Sequence, residues 1–273
     1  MRYEFLKGAP RFAVMAVLAA AWFAPAVFGI TKSKHIPNPP KGYVLAWSDN
    51  FNNGRINTKK WYYRTDSKYL SVQLPQNVSV QHGILKIAVK HQRIDHKQYS
   101  GGGLISRRRF KYGYYEAGLR VPVGSGWHTS FWLEKYNPMI RTTEGFKHGP
   151  AYQEIDICEA DSGSPTTYSD NVQKWPSPEY HSISGPLQAP NLARTFHIFS
   201  CLYTPQSAKF YLDGKLMHIA NMARFPHNTM NIWITCIATG YVDNKKLPAA
   251  AEFSFVRYYA PPAVNGAHIQ PRK

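Results

Sequence analysis

The run EIDICE at residues 154–159 places three acidic side chains close together in a β-prone stretch. In a strand, alternate side chains point to opposite faces, so Glu154 and Asp156 share one face. Glu159 is an odd number of residues from Glu154 and would lie on the other face of a regular strand. A β-bulge around residues 157–158 would add one residue and return Glu159 to the face of the other two. The spacing therefore predicts a bulged strand with three acids along one wall of a groove.

Three carboxyl groups at this spacing can carry out nucleophilic and acid–base chemistry on a glycosidic bond. Crowded carboxylates repel, which spreads their pKa values apart and leaves one group ionised while another keeps its proton near neutral pH. Retaining glycoside hydrolysis needs that division, with a nucleophile and an acid/base roughly 5–5.5 Å apart. The same six residues also fit an amphipathic strand with a solvated acidic face, which is the alternative interpretation.

The chain past residue 40 predicts an all-β fold that would position these acids. Runs of alternating polarity are separated by turns rich in Gly and Pro, and no long amphipathic helix is indicated. His82-Gly83 and Asp213-Gly214 predict hairpin turns. Many short strands without helical intervals indicate an antiparallel β-sandwich or jelly roll. Strands are expected over 78–89, 112–123, 195–203, 208–212, 230–238 and 252–259, and long functional loops over 64–76, 136–150 and 160–194.

The first 29 residues predict a secretory signal and hence an exported protein, secreted or periplasmic. Basic residues near the start precede an uncharged apolar run, and small residues before residue 30 supply a cleavage site. An uncleaved membrane anchor is the alternative, but Pro25 and the shortness of the run favour cleavage, so we expect no stable membrane association. The predicted organisation is a signal over 1–29, a linker over 30–43, one β domain over 44–260 and a tail over 261–273.

Charge and cysteine content narrow the classes of partner. The chain has 33 Lys and Arg against 16 Asp and Glu, a formal net charge of +17. This balance favours a polyanionic partner such as a sulfated or uronic polysaccharide, although a basic exported protein without such a partner would have the same composition. The cluster 107–109 is too short to indicate nucleic-acid binding. Three scattered cysteines form neither a disulfide framework nor a metal site. We expect a monomer with no nucleic-acid partner and at most one disulfide.

An ordered set of short segments extends over residues 44–259. It comprises WSDNF at 47–51, QNV at 76–78, GGLISRRRFKYGYYE at 102–116, GWHTSFWL at 126–133, EIDICE, FHIFS at 196–200 and FYLDG at 210–214. In this order the segments resemble glycoside hydrolase family 16, the endo-β-glycanases that include laminarinases, lichenases, agarases and carrageenases. The resemblance implies a curved, concanavalin-like β-jelly roll with the substrate in its concave groove.

The resemblance also implies roles for the three acids. The family's E-x-D-x-x-E motif falls on Glu154 as the nucleophile, Asp156 as a supporting carboxylate and Glu159 as the acid/base. The bulged spacing is that of the laminarinase, agarase and carrageenase branches, and it agrees with the phase of the strand.

Candidate substrate contacts surround this motif. Sugar rings present flat apolar faces that stack on Trp, so Trp127 and Trp132, together with Trp175 in the long loop that follows, are candidate platforms. A core position is the alternative for each of them. The resemblance implies that Glu116 is a groove carboxylate for sugar hydroxyls, with a solvated strand position as the alternative. His181 is expected to bond sugar hydroxyls or the central Asp, or else to be a surface histidine.

Four positions depart from the family's pattern. Gly118 stands where the family often has Arg, and Cys236 where it often has Asn; both are expected to change the groove wall. The family's structural calcium often uses carboxylates at the positions occupied here by Asn50 and Ser254. Because calcium prefers carboxylate oxygens, we expect that site to be absent or weak, and no cofactor is expected.

These observations predict an exported, retaining endo-β-glycanase acting on β-1,3 or mixed β-1,3/1,4-glucan. Hydrolysis of a sulfated galactan of the carrageenan, agar or porphyran type is the alternative on the same fold, and transglycosylation is a third outcome. A carbohydrate-binding module without catalysis is the alternative from another class, but binding alone does not need the acidic triplet. The cations expected to favour an anionic substrate are Arg107, Arg108, Arg109, Arg141, Lys147 and His148.

Overall fold

The computed structural model describes residues 39–135, 151–176 and 181–262, in which strands dominate and the only helices are two short 3-10 turns. The predicted signal and the loop 136–150, with its three candidate cations, lie outside the described residues. The described part of the chain contains no helix that is both long and apolar enough to cross a membrane. The strands are β1 Val44–Asp49, β2 Trp61–Tyr63, β3 Ser67–Lys68, β4 Ser71–Gln73, β5 Val78–Gln81, β6 Ile84–Ile94, β7 Lys97–Phe110, β8 Gly113–Arg120, β9 Trp127–Glu134, β10 Tyr152–Asp161, β11 Thr167–Trp175, β12 His181–Gln188, β13 His197–Tyr203, β14 Ser207–Leu212, β15 Lys215–Asn221, β16 Met230–Ala238 and β17 Ala249–Ala260, and the 3-10 turns are Pro75–Asn77 and Asn244–Lys246.

Two antiparallel sheets form the body of the fold. The groove sheet runs β2-β7-β16-β9-β10-β11-β12. In the back sheet, one side of β17 pairs with β8, and its other side pairs with β6 and β1. On its far side β8 pairs with β13, β13 pairs with β14, and β14 pairs with β15. The β6–β7 hairpin joins the sheets, because β6 pairs with β17 and β7 with β16. This architecture confirms the antiparallel β-sandwich predicted from the sequence.

The core lies between these sheets. The ring of Tyr168 on β11 meets the ring of Phe199 on β13 edge-on, with centroids 5.0 Å apart. Gln153 on β10 donates a hydrogen bond of 2.6 Å to the hydroxyl of Tyr203 on β13. The inward residues of β10 are fully buried, so the strand that carries the acids is anchored from behind by close packing.

Turn chemistry fixes the predicted hairpins. His82 and Gly83 have φ values of 51° and 69°, and Asp213 and Gly214 have values of 49° and 81°. Positive φ at both central residues gives a turn whose twist matches the flanking strands, so β5–β6 and β14–β15 are tight hairpins. Both turns, and the strand predicted over 230–238, are confirmed.

Two of the expected long loops contain strands. The stretch 64–76 holds β3 and β4, and 160–194 holds β11 and β12. The strand β11 is not evident from the sequence, because its residues are mostly polar and a carboxylate lies among those that face inward. Asp170 is enclosed at the back of the strand, where the Nδ1 of His218 lies 2.5 Å from its Oδ1 and the hydroxyl of Ser184 contacts the same oxygen. Both partners bond to Oδ1, while Oδ2 is buried without a hydrogen-bond partner among the described residues, so the carboxylate is only partly compensated for its burial.

All three cysteines are buried and free. Cys158 and Cys236 lie in the groove sheet and Cys201 in the back sheet. No disulfide forms, which is compatible with the expectation of at most one bridge.

Candidate active site

The predicted bulge in β10 is present and sets the direction of the acids. Asp156 lies opposite Trp132 of β9, and the register then shifts before Cys158. The pairing with β11 shifts over the same interval, between Asp156 and Glu159. The extra residue restores the phase, so Glu154, Asp156 and Glu159 all face away from the core. The three acids line one cleft on the outer surface of the groove sheet.

This cleft has a volume of about 260 Å³ and is polar. It lies over β9, β10 and β16 and is bordered by the segment from β2 to β4. Its lining residues are Arg64, Lys68, Tyr69, His128, Ser130, Trp132, Glu154, Asp156, Glu159, Asp161, Thr235, Ile237 and Thr239.

Glu154 is held by two hydrogen-bond donors. The indole Nε1 of Trp175 donates to its Oε2 at 2.6 Å, and the side chain of Asp156 bonds to it as well. Burial raises the pKa of Glu154, while the bond from Trp175, the nearby charge of Lys68 and the bond with Asp156 act in the opposite direction. Donors aimed at a carboxylate favour its ionised form.

Asp156 lies deepest of the three and is 3% exposed. Burial raises its pKa well above the ordinary value, and the charges of Glu154 and Glu159 raise it further. Burial therefore favours the protonated form of Asp156, which can donate in the hydrogen bond to Glu154. Sequence reasoning assigned this residue a supporting role, which agrees with its position between the other two acids.

Glu134 is a fourth carboxyl group that sequence reasoning missed. It lies on β9 directly opposite Glu154. Burial and the charge of Glu154 raise the pKa of Glu134 to about 8. These neighbouring carboxyl groups cannot all ionise together, so their titrations depend on one another. Of the three, Glu154 is the one whose ionised form is favoured by hydrogen bonds from both Trp175 and Asp156.

Glu159 has a different set of partners. The Nε2 of His128 lies 3.1 Å from its Oε1, and the Nδ1 of the same ring lies 3.0 Å from Oδ1 of Asp161. Burial lowers the pKa of His128, but the hydrogen bonds and charges of Asp161 and Glu159 outweigh it and raise that pKa to about 9. His128 is thus a cation at neutral pH, and Glu159 has a positively charged neighbour.

A stacked pair of aromatic rings lies beside the acids, and one of its members, Trp132, lines the cleft. Trp132 of β9 stacks on Trp233 of β16 with ring centroids 4.5 Å apart and planes 26° from parallel. The guanidinium of Arg64 lies 6.0 Å and 5.8 Å from the two ring centroids. Arg64 is itself oriented by two hydrogen bonds to Asp66, of 2.6 Å and 2.8 Å. Trp132 therefore offers an indole ring to the cleft, of the kind that stacks on sugar rings, and the buried Trp233 supports it.

Comparison with known proteins assigns this arrangement to a family. Residues 65–254 match the model described as "Glycosyl hydrolases family 16". The chain belongs to glycosyl hydrolase family 16. It is therefore a glycoside hydrolase, as the sequence segments indicated.

Individual relatives are distant but extensive matches. A beta-glucanase of Rhodothermus marinus is 24% identical over 231 residues, which cover 79% of this chain and 75% of that protein. The laminarinase catalytic domain of Thermotoga maritima MSB8 has a TM-score of 0.68 at 18% identity, over 82% of this chain and all of that one. Porphyranase B of Zobellia galactanivorans has a TM-score of 0.66 at 18% identity, over 84% of this chain and 97% of that one. At these identities the solved structures establish a shared family 16 fold.

The residues predicted to contact the substrate do not all lie in the cleft of this family 16 structure. Trp132 lines the cleft, in agreement with a platform role. Trp175 is the last residue of β11 rather than part of a loop, and its indole bonds to the Glu154 carboxylate. His181 begins β12 and is exposed, opposite Gln173 of β11, and it does not line the described cleft.

Two of the expected contacts prove wrong. Trp127 is 1% exposed and packs in the core, where Tyr99 meets its ring edge-on at 5.8 Å. Its phase on β9 is opposite to that of Trp132, since the two are an odd number of residues apart. Glu116 is fully buried in the back sheet, 3.7 Å from the Nη1 of Arg257, and burial raises its pKa to about 7. Neither side chain reaches the groove.

The family departures lie away from the groove wall, contrary to the sequence-based expectation. Gly118 is in the back sheet, where a Cβ would come within 2.4 Å of the Ser254 hydroxyl, so no larger residue fits there. Cys236 is buried, with its Sγ 3.5 Å from the hydroxyl of Thr129. Asn50 accepts a hydrogen bond from Nη2 of Arg257 at 3.4 Å. Within the described residues, no group of three or more His, Cys, Asp or Glu is arranged to hold a metal ion.

The cations beside the acids are not those singled out in the sequence. Arg107 and Arg108 bond to backbone oxygens of Thr58 and Ala46 and stack on the rings of Tyr62 and Phe110. None of the residues 107–109 lines the described cleft, whereas Arg64 and Lys68 do. The register of β7 against β16 shifts at this cluster, between Asn231 and Trp233.

Proposed function

We propose that this chain is a retaining endo-β-glycanase that hydrolyses β-1,3 or mixed β-1,3/1,4-glucan. The observation that carries the proposal is the contrast between two glutamates on one face of the bulged strand. Glu154 is held as a carboxylate by Trp175 and Asp156, and Glu159 is held separately by His128. A retaining mechanism requires two carboxyl groups in such distinct environments.

In the first step, the Glu154 carboxylate attacks the anomeric carbon of the sugar. The bond from that carbon to the glycosidic oxygen breaks, and Glu159 gives its proton to the departing oxygen. A covalent glycosyl-enzyme results. The donor bonds from Trp175 and Asp156 orient the nucleophile, which reduces the entropy that must be lost on reaching the transition state.

In the second step, Glu159 acts as a base and takes a proton from water. The water oxygen bonds to the anomeric carbon, and the bond to Glu154 breaks, which restores both side chains. Two inversions leave the product with the β-configuration of the substrate. If another sugar hydroxyl replaces water, the same step gives transglycosylation.

A neutral β-glucan is the proposed substrate on two grounds. Trp132, backed by the stacked ring of Trp233, provides an apolar platform beside the acids. The relatives named beta-glucanase and laminarinase share this fold and family. We further propose that the protein acts outside the cytoplasm after removal of the signal predicted over residues 1–29. N-terminal sequencing of the protein recovered from the medium or periplasm would test that step.

The test is a reducing-sugar screen on laminarin, lichenan, agarose, porphyran and carrageenans. Wild type should release oligosaccharides from a β-glucan, and Glu154→Gln should not. Glu252→Gln is the matched control, because this carboxylate pairs with Arg120 and Lys86 in the back sheet. Proton NMR of the first products should show the β-anomer before mutarotation. Initial release of the α-anomer, or an active Glu154→Gln, contradicts the proposal. Binding without hydrolysis would instead identify a carbohydrate-binding module.

A sulfated galactan is the second candidate substrate. It is favoured by Arg64 and Lys68 in the cleft lining and by the net charge of +17. The likeness to porphyranase B is consistent with it at the level of fold. Screening acts over a Debye length of about 8 Å at physiological ionic strength, so kcat/KM on a sulfated polymer should fall as salt rises. Activity that is confined to neutral glucan and constant with salt excludes this candidate.

A further inference from the structure

We propose that His128 and Asp161 are positioning residues for Glu159, and that they direct one of its two oxygens toward the scissile bond. The inference rests on the proposed function, because it assumes that Glu159 is the acid/base. It adds two residues that sequence reasoning did not select.

Strand register brings the three side chains together. His128 is opposite Asp161 in the pairing of β9 with β10, and Glu159 is opposite Ser130, the next residue of β9 on the same face. The imidazole ring therefore lies between the two carboxylates, 3.1 Å from Oε1 of Glu159 and 3.0 Å from Oδ1 of Asp161. Only the bulge in β10 makes this possible, because a regular strand would direct Glu159 into the core.

The ring contacts fix which oxygen of Glu159 is available. Oε1 accepts a hydrogen bond from Nε2 of the protonated His128, which orients the carboxyl group with its other oxygen away from the ring. Oε2 remains to give a proton to the glycosidic oxygen and to take one from water. Asp161 accepts from Nδ1 and sets the plane of the ring, which in turn sets the plane of the carboxyl group.

Charge gives the pair a second effect. Glu159 becomes a carboxylate when it releases its proton, and the His128 cation then lies next to the new negative charge. The other charged groups of the cleft are Arg64, Lys68 and the Glu154–Asp156 pair, and β16 faces His128 with the uncharged Ile237. A preorganised cation at this position stabilises the charge that develops at Glu159 during glycosyl transfer.

The test compares kcat/KM of wild type and His128→Gln on two substrates. One is the polysaccharide cleaved by wild type, whose leaving group must be protonated. The other is an aryl β-oligosaccharide of the same sugar with an activated leaving group, whose first step needs no proton donor. Loss of a hydrogen bond to a charged group should lower kcat/KM on the polysaccharide by about 10- to 100-fold. On the aryl substrate the change should stay within about threefold.

A double variant separates positioning from general damage. In a Glu159→Ala background, His128→Gln should cause no further loss on the polysaccharide, because its effect acts through Glu159. His197→Gln is the matched control, since His197 pairs with Asp213 at 2.8 Å in the back sheet and should leave the kinetics unchanged. If His128→Gln does not fold, Asp161→Asn keeps the imidazole and should show the same substrate dependence with a smaller loss.

Each outcome is decisive for one of the two proposals. Equal losses on both substrates, or additive losses in the double variant, would overturn the positioning role and leave His128 as a structural residue. Normal kinetics of His128→Gln alongside an impaired Glu159→Ala would also overturn it, with the proposed function intact. A wild type that cleaves no polysaccharide would instead refute the proposed function.

Discussion

Protonated His128 should stabilise wild type by an amount that disappears as the pH rises from about 6.5 to about 9, and a variant without this histidine should lack that stabilisation. The pKa of this histidine rises from its ordinary value of 6.5 to about 9 in the fold. The folded state therefore holds a proton that the unfolded state releases, so the stabilisation is complete below the unfolded pKa and is lost as pH rises through the folded one. At roughly 1.4 kcal/mol for each pKa unit, the contribution is about 3 kcal/mol.

Urea unfolding of wild type and His128→Gln across this pH range measures the effect. The free-energy difference between the two proteins should be largest near pH 6 and shrink by about 3 kcal/mol toward pH 10. Glu134 and Glu116 have pKa values raised to about 8 and about 7, so their contributions to the free energy of unfolding also fall as pH rises. They are present in both proteins, so the difference isolates the histidine. Parallel curves would show that Asp161 and Glu159 do not hold a proton on His128, and the charge argument above would then be wrong.

Three further perturbations follow from the cleft. Trp175→Phe should lower kcat by about tenfold with little change in KM, because it removes the 2.6 Å bond to Glu154; an unchanged kcat in steady-state assays would contradict this. Trp132→Ala should raise KM for oligosaccharides by roughly tenfold and leave the pH profile unaltered, and a loss confined to kcat would argue against a platform. A chelator should leave the melting temperature unchanged, since Asn50 accepts a bond from Arg257 where relatives would need a ligand; a drop of several degrees would reveal a bound ion.

The parts of the fold that depend on local sequence could be predicted. The Asp213-Gly214 turn needs two positive φ values, and this dipeptide adopts them readily. The bulge followed from the parity of the spacing between Glu154 and Glu159, together with the aliphatic residues between them. Both inferences use only residues that are close in sequence.

Contacts made across strands could not be found in this way. His128 meets Glu159 through a register between β9 and β10 that no single strand specifies. Trp233 of β16 stacks behind Trp132 of the cleft lining, although the two are a hundred residues or so apart along the chain. Glu116 was placed in the groove by family resemblance, but the groove and back sheets both have alternating strands, and alternation does not say to which sheet a strand belongs. β11 was missed because its buried Asp170 is bonded, through one oxygen, by residues from β12 and β15 that are distant in sequence.

Because both glutamates lie on β10, the length of a short piece of backbone sets the distance between them. In a site assembled from different strands or loops, the distance between catalytic groups changes when those elements move apart. Here the two carboxyl groups are joined by a few residues of one strand, so their distance does not depend on such movements. Slow opening of the surrounding loops, or their exchange for other loops, leaves the distance between the two glutamates unchanged. Laboratory evolution of substrate range can therefore vary the cleft borders freely. Deletion of Ile157 alone would remove the bulge and leave the two glutamates four residues apart in a regular strand, so both would still face the groove.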